Sequence, residues 1–300
     1  MGATLRIVRR RIRSVQSTKK ITRAMELIAS SRIVKAQQRV EASRPYAIQL
    51  TDAMEDLARN SGSFTHPLLE ERQEPRTAGV LVCTSDRGLA GAYAANVIKE
   101  AEGVLASVRE RGLEPVIYVS GKKGVGYFRF RGVPIEADWQ GHTEVPSYDV
   151  AERIGRRLID DFAAGTIDEL HCAYTDFRSA FTLRATAKRF LPIAPEEVTG
   201  TSEETVHPEY LFEPEPERIL DHLLPQYLIT KVYAALLESA ASENAARRRA
   251  MKAATDNADE LMKILTRQAN RARQDEITTE IMEIVGGAEA LAATSEDDDG

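Results

Sequence analysis

The sequence predicts an α/β domain inserted between two long helices, which pair with each other as a long antiparallel coiled coil. Both ends of the chain lack Gly and Pro over long stretches, and all 12 prolines lie between Pro45 and Pro225. The middle of the chain instead alternates short apolar runs with amphipathic stretches, a pattern typical of an α/β sheet domain. Because a long isolated helix is only marginally stable in water, we expect each terminal helix to cover the other.

The first predicted element is an N-terminal coiled-coil helix over residues 1–59. Residues 3–44 contain no Gly or Pro, and their apolar side chains recur in steps of three and four. That spacing is typical of a coiled-coil seam, and the seam shifts its phase once, near Lys19. Pro45 can bend the helix, but the residues after it can continue the helical pattern.

The middle of the chain, residues 76–191, is predicted to form a Rossmann-like α/β domain. Apolar runs bounded by turn residues alternate with helical stretches, which favours a mostly parallel sheet covered by helices. The predicted strands are 78–84, 115–120, 133–139 and 168–177, and the predicted helices are 90–111 and 150–162.

The chain then leads through an acidic, Pro-rich loop into a second long coiled-coil helix. The loop is residues 192–225, with nine acidic residues and a single Arg, and the helix is predicted over residues 226–287. Ala occupies ten of the 25 positions from 234 to 258, and such small side chains let two helices approach closely. Residues 288–300 form an acidic tail in this interpretation.

Charge is distributed unevenly, although the net charge is only −6. Residues 1–44 carry 12 Arg and Lys against two acidic residues, a density that could neutralise phosphates. The residues alone leave three interpretations open: a basic coiled-coil nucleic-acid-binding protein, a solvated helix face, or a positive surface that meets an acidic protein partner. No apolar run approaches the ~18 residues that a membrane-spanning helix needs.

No segment of the sequence indicates catalysis by this chain. The Gly-containing segments 83–93 and 121–126 follow strands, where nucleotide-binding proteins hold phosphate, but neither has the spacing of a phosphate-binding motif. We interpret them as tight turns, and a doubly wound enzyme ranks third among the hypotheses. The five His are scattered, and Cys83 and Cys172 lie in predicted strands as small buried side chains. We therefore expect no catalytic residue, no cofactor and no metal site.

Three segments are specific enough to indicate a family. They are ITRAMELIASSRIVKAQ (21–37), TSDRGLAGAYAANVIK (84–99) and the stretch that runs from ESAASENAARRRAMKAATDN to TEIMEIVGGAEAL (238–291). In their order and spacing they resemble the gamma subunit family of the bacterial F-type ATP synthase. One departure is Ala95, which stands where Asn or another polar residue is common in that family.

The resemblance implies that this chain is the central rotor shaft of a proton-translocating ATP synthase. In that family the terminal helices stand inside a ring of three alpha and three beta subunits. The α/β domain meets the epsilon subunit and the membrane-embedded c-ring, whose rotation changes the nucleotide affinity of each beta site in turn. The resemblance further implies a non-catalytic subunit with no cofactor and no nucleic-acid partner, peripheral to the cytoplasmic face of a bacterial plasma membrane.

The resemblance also assigns residues to the contact between rotor and stator. Met25 matches a position that faces an acidic lever of the beta subunit, and a polar cluster that contacts a beta-subunit loop is matched by Arg273, Gln274 and Thr278. The positive charge of the N-terminal helix adds four electrostatic candidates, which are Arg10, Lys19, Lys20 and Arg23. Three isoleucines are expected to pack inside the tip of the shaft or against the surrounding ring, namely Ile277, Ile281 and Ile284.

Overall fold

The structure, a computed structural model, describes residues 3–60, 66–179, 182–194 and 216–296. The chain divides into two compact units, and each unit combines segments that are distant in sequence. The first unit contains residues 1–27 and 250–300, and the second contains residues 28–249.

The described residues contain five α-helices and one five-stranded sheet. The helices are α1 (Ala3–Asn60), α2 (Tyr93–Glu110), α3 (Lys122–Phe130), α4 (Tyr148–Ala163) and α5 (Pro216–Glu296). The strands are β1 (Thr77–Cys83), β2 (Glu114–Ser120), β3 (Ala137–Trp139), β4 (Glu169–Phe177) and β5 (Leu183–Leu191).

α1 ends one residue after its predicted end, whereas α5 runs further than the apolar pattern predicts. α1 continues through Pro45 and ends at Asn60. α5 continues through the glycines at 286 and 287 and ends at Glu296, inside the segment interpreted as a tail. A glycine lowers helix stability by only about 1 kcal/mol relative to Ala, so a long helix can tolerate the pair.

α5 also begins earlier than predicted, at Pro216 rather than at residue 226, so the acidic loop is shorter than the sequence pattern indicated. Pro216 stands in the first turn, where its missing N–H has no helical partner to lose. Leu220, Leu224 and Leu228 recur every four residues and are almost fully buried. Their burial on one face keeps the segment helical in spite of Pro225.

The five strands form one sheet in the order β3-β2-β1-β4-β5. β1 pairs in parallel with β2 and with β4, and β2 pairs in parallel with β3, whereas β5 is antiparallel to β4. The sequence pattern predicts neither β5 nor α3. β5 is an edge strand whose sequence LRATAKRFL interrupts its apolar residues with cations, and α3 is only nine residues long and contains two glycines.

Helices cover both faces of the sheet. On one face, Leu81 of β1 packs in a core that also includes α4, Met54 of α1 and Leu224 of α5. α2 and α3 cover the opposite face. α4 and α5 approach closely at Gly155, where an added Cβ would lie 2.7 Å from Cγ1 of Ile229, so only glycine fits this contact.

Candidate functional site

In the first unit, residues 3–27 of α1 run antiparallel to the C-terminal part of α5. Lys19 forms an ion pair with Asp259, and three residues later along α1, Oγ1 of Thr22 lies 2.7 Å from Oγ1 of Thr255. Both threonines are buried. A buried polar pair in a helix–helix seam fixes the register, because a shift would separate the two hydroxyl groups. The predicted antiparallel pairing is therefore present, with a defined register.

The four cationic candidates of α1 all lie in this unit and differ in their contacts. Nη1 of Arg23 donates to Oε2 of Glu26 at 2.8 Å, and Lys19 is held by the ion pair described above. Arg10 and Lys20 are exposed, and within the described part of the chain neither forms an ion pair. Because exposed pairs contribute only about 0–1 kcal/mol, even Lys19 and Arg23 can exchange their partners.

The candidates assigned by resemblance lie at two different levels of the paired helices. Met25 is half-buried on α1, whereas Arg273, Gln274 and Thr278 are exposed on α5. Gln274 and Thr278 are four residues apart and share one face of the helix. In the register of the threonine pair, Met25 lies opposite a position about 20 residues before Arg273, which is about 30 Å along a helix. The structure therefore separates the candidates into two groups.

The C-terminal part of α5 presents isoleucines to solvent. Ile277, Ile281 and Ile284 are 44%, 56% and 72% exposed. The expectation that they pack inside the tip is wrong for the described residues, because close to half or more of each side chain is exposed. That they face a surrounding ring stays a prediction.

The two Gly-containing segments lie at the carboxyl edge of the parallel strands, where doubly wound domains bind their ligands. There the carboxylate of Asp86 accepts backbone N–H groups from Lys122, Gly141 and Thr143, at 3.1, 2.8 and 3.1 Å. Burial raises the pKa of Asp86, but the three N–H donors outweigh it and hold the pKa below its usual value. A side-chain carboxylate thus occupies a nest of N–H groups that could otherwise surround a phosphate.

α5 covers the same edge of the sheet. Oγ of Ser242 donates to the carbonyl oxygen of Thr175 in β4 at 3.4 Å, and Nη2 of Arg247 donates to that of Gly88 at 3.4 Å. Ala246 packs between them against the start of α2. The chain itself therefore fills the space in which a doubly wound enzyme holds its ligand, which favours the interpretation of both segments as turns.

A serine and a histidine also meet at this edge. Oγ of Ser120 lies 3.0 Å from Nε2 of His142. Burial lowers the pKa of His142, so its neutral ring can accept this hydrogen bond. Ser120 is completely buried and cannot be reached by a substrate, which makes the pair structural.

The described residues contain no group of three or more His, Cys, Asp or Glu side chains that could hold a metal ion. None of the helices that the structure describes is both long enough and apolar enough to cross a membrane.

One charged cluster lies outside the residues that the sequence singled out. The carboxylate of Glu144, before α4, lies 2.6 Å from Arg32, 3.2 Å from Arg87 and 3.6 Å from Arg247. Arg247 also donates to Glu243 at 2.5 Å, and both of these side chains are buried. The cluster joins α1, α5 and the loop after β1 around one carboxylate. No local motif signals it, because its members come from distant segments.

Comparison with known proteins identifies relatives along nearly the whole chain. The family model described as ATP synthase matches residues 4–291. The ATP synthase gamma chain of Acidothermus cellulolyticus is 55% identical over 98% of this chain and 99% of its own length. The gamma chain of Thermobifida fusca is 54% identical over 98% of this chain and 99% of its own length. The gamma chain of Mycolicibacterium smegmatis is 52% identical over 98% of this chain and 100% of its own length.

Solved structures share the fold at lower identity. A chain in the Euglena gracilis mitochondrial ATP synthase (OSCP/F1/c-ring) superimposes with a TM-score of 0.67 at 18% identity, covering 98% of this chain and 97% of that one. A chain in the central stalk and c-ring of the Tetrahymena thermophila mitochondrial ATP synthase gives a TM-score of 0.56 at 23% identity, covering 78% and 99%. The inserted α/β domain between long terminal helices is therefore an architecture found in other structures.

Proposed function

Since the chain belongs to the ATP synthase family and is related over nearly its full length to gamma chains, we propose that it is the central rotor shaft of an F-type ATP synthase. It couples proton-driven rotation to ATP synthesis and hydrolysis at the beta subunits. The structural observation that carries this function is the pair of antiparallel helices in the first unit, held in register by Thr22 and Thr255.

The partners of the shaft are three alpha and three beta subunits around the paired helices, and the epsilon subunit and the c-ring at the α/β domain. The names of the curated relatives, and the central stalk and c-ring assemblies that contain similar folds, support this arrangement. The complex holds the chain, as a peripheral subunit, at the cytoplasmic face of the bacterial plasma membrane.

Two groups of residues meet the beta subunits. The first group surrounds Met25 and uses the nearby cations of α1 against an acidic lever: Lys19, Lys20 and Arg23. Arg10, the fourth cation proposed to meet a beta subunit, lies about 22 Å from Met25 along α1, near the level of the second group. The second group is polar and lies on α5: Arg273, Gln274 and Thr278. Exposed polar contacts suit a rotor because they can exchange partners with water, so no single angle is locked. Coupling then depends only on how unequally the contacts favour the states of each beta site.

The chain contributes no catalytic residue of its own. Asp86 and α5 fill the carboxyl edge of the sheet, which supports a structural role for the α/β domain. We assign residues 76–191 to the foot of the rotor and the two terminal helices to its shaft.

The test is reconstitution with the alpha and beta chains encoded by the same genome. We expect the three chains to co-purify as a complex that hydrolyses ATP, and this chain alone to hydrolyse none. A chain that stays separate from well-folded alpha and beta chains would contradict the proposal. Retention on duplex DNA that falls steeply with added salt would instead favour the basic coiled-coil nucleic-acid-binding alternative.

A further inference from the structure

A pocket lies between α1, α4 and α5 in the second unit. Its volume is about 390 Å³, within the range of roughly 300–1,000 Å³ that is typical of small-molecule sites. Its lining consists of Ser43 and Tyr46 from α1, Tyr148 from the start of α4, and Thr230 and Tyr233 from α5. On each long helix the two lining residues are three positions apart and therefore share one face. We refer to this space as the three-tyrosine pocket.

Aromatic rings form most of the wall of the three-tyrosine pocket. The rings of Tyr148 and Tyr233 meet edge to face, with their centroids 5.6 Å apart and an angle of 77° between their planes. The hydroxyl of Tyr148 donates to Oε1 of Gln226 at 2.7 Å, which holds the Tyr148 ring in this orientation. Tyr46 is 49% exposed, so its ring can be reached from solvent. Two rings are thus held against each other and a third is accessible, and a flat ligand can stack on them.

The hydroxyl groups around the pocket offer both kinds of hydrogen bond. Those of Tyr46 and Tyr233 form no hydrogen bond with any residue in the described ranges, so both can donate to a ligand. Ser43 and Thr230 already donate their hydroxyl protons to carbonyl oxygens of their own helices, at 2.8 and 2.7 Å, and toward a ligand their oxygens can only accept. A ligand that matches this set carries a hydroxyl or carbonyl group on its edge.

The three-tyrosine pocket is uncharged. None of its five lining residues is a Lys, Arg, His, Asp or Glu, and burial raises the pKa of Tyr148, so the hydroxyl of Tyr148 keeps its proton. The charged side chains that act on Tyr148 are Glu152 and Arg156. They neutralise each other, because Nη2 of Arg156 donates to Oε1 of Glu152 at 2.7 Å. A charged ligand would lose hydration here without gaining a counter-charge, which disfavours nucleotides and other phosphates.

We propose that the three-tyrosine pocket binds a flat, uncharged aromatic molecule that carries a hydroxyl or carbonyl group. The ring of the ligand stacks on the tyrosine rings, and its polar group pairs with the free hydroxyls. A cation held by aromatic faces fits less well, because the edge-to-face contact of Tyr148 and Tyr233 already covers one of those faces. The site is separate from the residues proposed above to meet the beta subunits, and it does not depend on the rotor function.

The first test titrates 2-naphthol, a two-ring phenol, into the purified full chain and follows binding by ligand-observed NMR. We expect saturable binding at one site. Decahydro-2-naphthol has the same hydroxyl and a similar size but no aromatic ring, and it should bind about 5-fold more weakly or less. Naphthalene-2-sulfonate and tetramethylammonium carry opposite charges, and both should bind more weakly than 2-naphthol.

Substitutions in the pocket then locate the bound probe. Tyr46→Ala removes a half-exposed ring and should weaken the binding of 2-naphthol by about 5-fold or more without lowering the melting temperature of the chain. Ser43→Trp fills the pocket from α1 and should abolish binding. Ile48→Ala changes another exposed apolar side chain of α1 outside the pocket, and this matched control should bind 2-naphthol as the unchanged chain does.

Three results would overturn the proposal: no saturable binding of 2-naphthol, equal or tighter binding of decahydro-2-naphthol or of either charged probe, or an affinity that both pocket variants leave unchanged. If Ser43→Trp fails to fold, Tyr46→Ala decides the outcome, because its side chain is half exposed. The chain is tested alone, so the absence of binding contradicts only the pocket proposal. Binding by a chain that does not assemble with the alpha and beta chains would contradict only the rotor function.

Discussion

At the scale of single residues, Asp86 shows how this α/β domain uses the edge of the sheet at which doubly wound domains bind their ligands. Its carboxylate accepts three backbone N–H groups at the carboxyl edge of the sheet. Nucleotide-binding domains use such N–H groups for phosphate. The sequence alone could only show that the loop lacked a phosphate-binding spacing, since the donors belong to segments 36 to 57 residues away.

Replacing Asp86 tests this function of the carboxylate. Asp86→Ala removes three hydrogen bonds to a charged acceptor and should lower the free energy of unfolding by about 2–3 kcal/mol. Because the pKa of Asp86 is lower in the folded chain than in the unfolded chain, the stabilisation is present above pH ~4 and is lost as the pH falls through the folded pKa. Urea unfolding of both forms at pH 7 and pH 3 measures this, and an equal difference at both pH values would contradict it.

Arg273 and Gln274 are assigned by resemblance, and their substitution tests whether the assignment transfers to this chain. Arg273→Leu and Gln274→Leu should each lower ATP turnover of the assembled complex by about 5-fold or more. That factor corresponds to the smaller end of typical coupling free energies. Both side chains are exposed, so the melting temperature of the chain should not change. Gln268→Leu, an exposed Gln about 120° around α5 from Gln274, is the matched control. Normal turnover in both variants would remove these residues from the contact.

Glu238 of α5 gives a pH dependence of opposite sign to that of Asp86. Burial first, and then the nearby carboxylate of Asp176, raise the pKa of Glu238 to about 7, although Lys188 lowers it. Folding therefore takes up a proton between pH ~4.3 and 7, and stability falls as the pH rises through this range. We expect the free energy of unfolding to fall by about 1–2 kcal/mol across this pH range, a value reduced because the side chain is partly exposed.

Glu238→Gln should remove this dependence on pH while it keeps the shape of the side chain. Urea midpoints measured at pH 5, 6.5 and 8 for both forms give the comparison. An unchanged slope in the variant would assign the pH dependence to another group.

At the scale of elements, the cluster around Glu144 fastens the two long helices to the loops of the α/β domain. Arg32 of α1 and Arg247 of α5 both reach the same carboxylate. Removing one partner of a buried ion pair leaves the other charge uncompensated. A cluster of this kind can be retained for the arrangement that it specifies rather than for the stability that it contributes.

Glu144→Gln keeps the size of the side chain and removes its charge. We expect a loss of about 2–4 kcal/mol in the free energy of unfolding, because Arg247 is buried and Glu243 alone must then balance its charge. A double-mutant cycle with Arg32→Gln separates the pair from the rest of the cluster. A coupling energy near zero between positions 32 and 144 would show that their proximity contributes nothing.

The sequence pattern identified elements according to how much apolar periodicity they carry. α1, α5 and the four parallel strands have long or dense apolar patterns, and all were predicted within a few residues except for the ends of α5. β5 and α3 lack such patterns, because one is a half-exposed edge strand and the other is short and rich in Gly. Tertiary burial of Leu220 and Leu224, which no local rule contains, extends α5 past Pro225.

The candidate residues were harder to predict than the elements. Local motifs located Met25 and the polar group of α5, but the ion pair of Lys19 with Asp259 and the threonine pair depend on the register of two distant helices. The same register separates the candidates into two levels, which a list of motifs cannot show. Spatial arrangement, rather than residue identity, is therefore what the structure adds to the site.

At the scale of the whole molecule, the two levels of contact predict independent effects on coupling. In the register of the paired helices, Arg23 and Arg273 lie about 30 Å apart. Substitutions at this separation, without shared partners, usually add within about 0.5 kcal/mol. One variant carries Lys20→Glu together with Arg23→Glu, and the other carries Arg273→Leu. If each level meets a beta subunit separately, the free-energy cost of the first variant should add to that of the second when all three substitutions are combined. ATP turnover rates of the four complexes, converted to activation free energies, give the comparison.

The control for additivity combines Arg273→Leu with Gln274→Leu, since these neighbours belong to one contact and should share their cost. We expect the free-energy cost of this neighbouring pair to be smaller than the sum of its two single costs. The cost of the distant combination should instead equal the sum of its parts. A coupling energy well above 0.5 kcal/mol between the two levels would mean that the shaft engages the ring as one continuous surface. In that case the division into an α1 group and an α5 group would describe the geometry of the chain but not its interaction with the beta subunits.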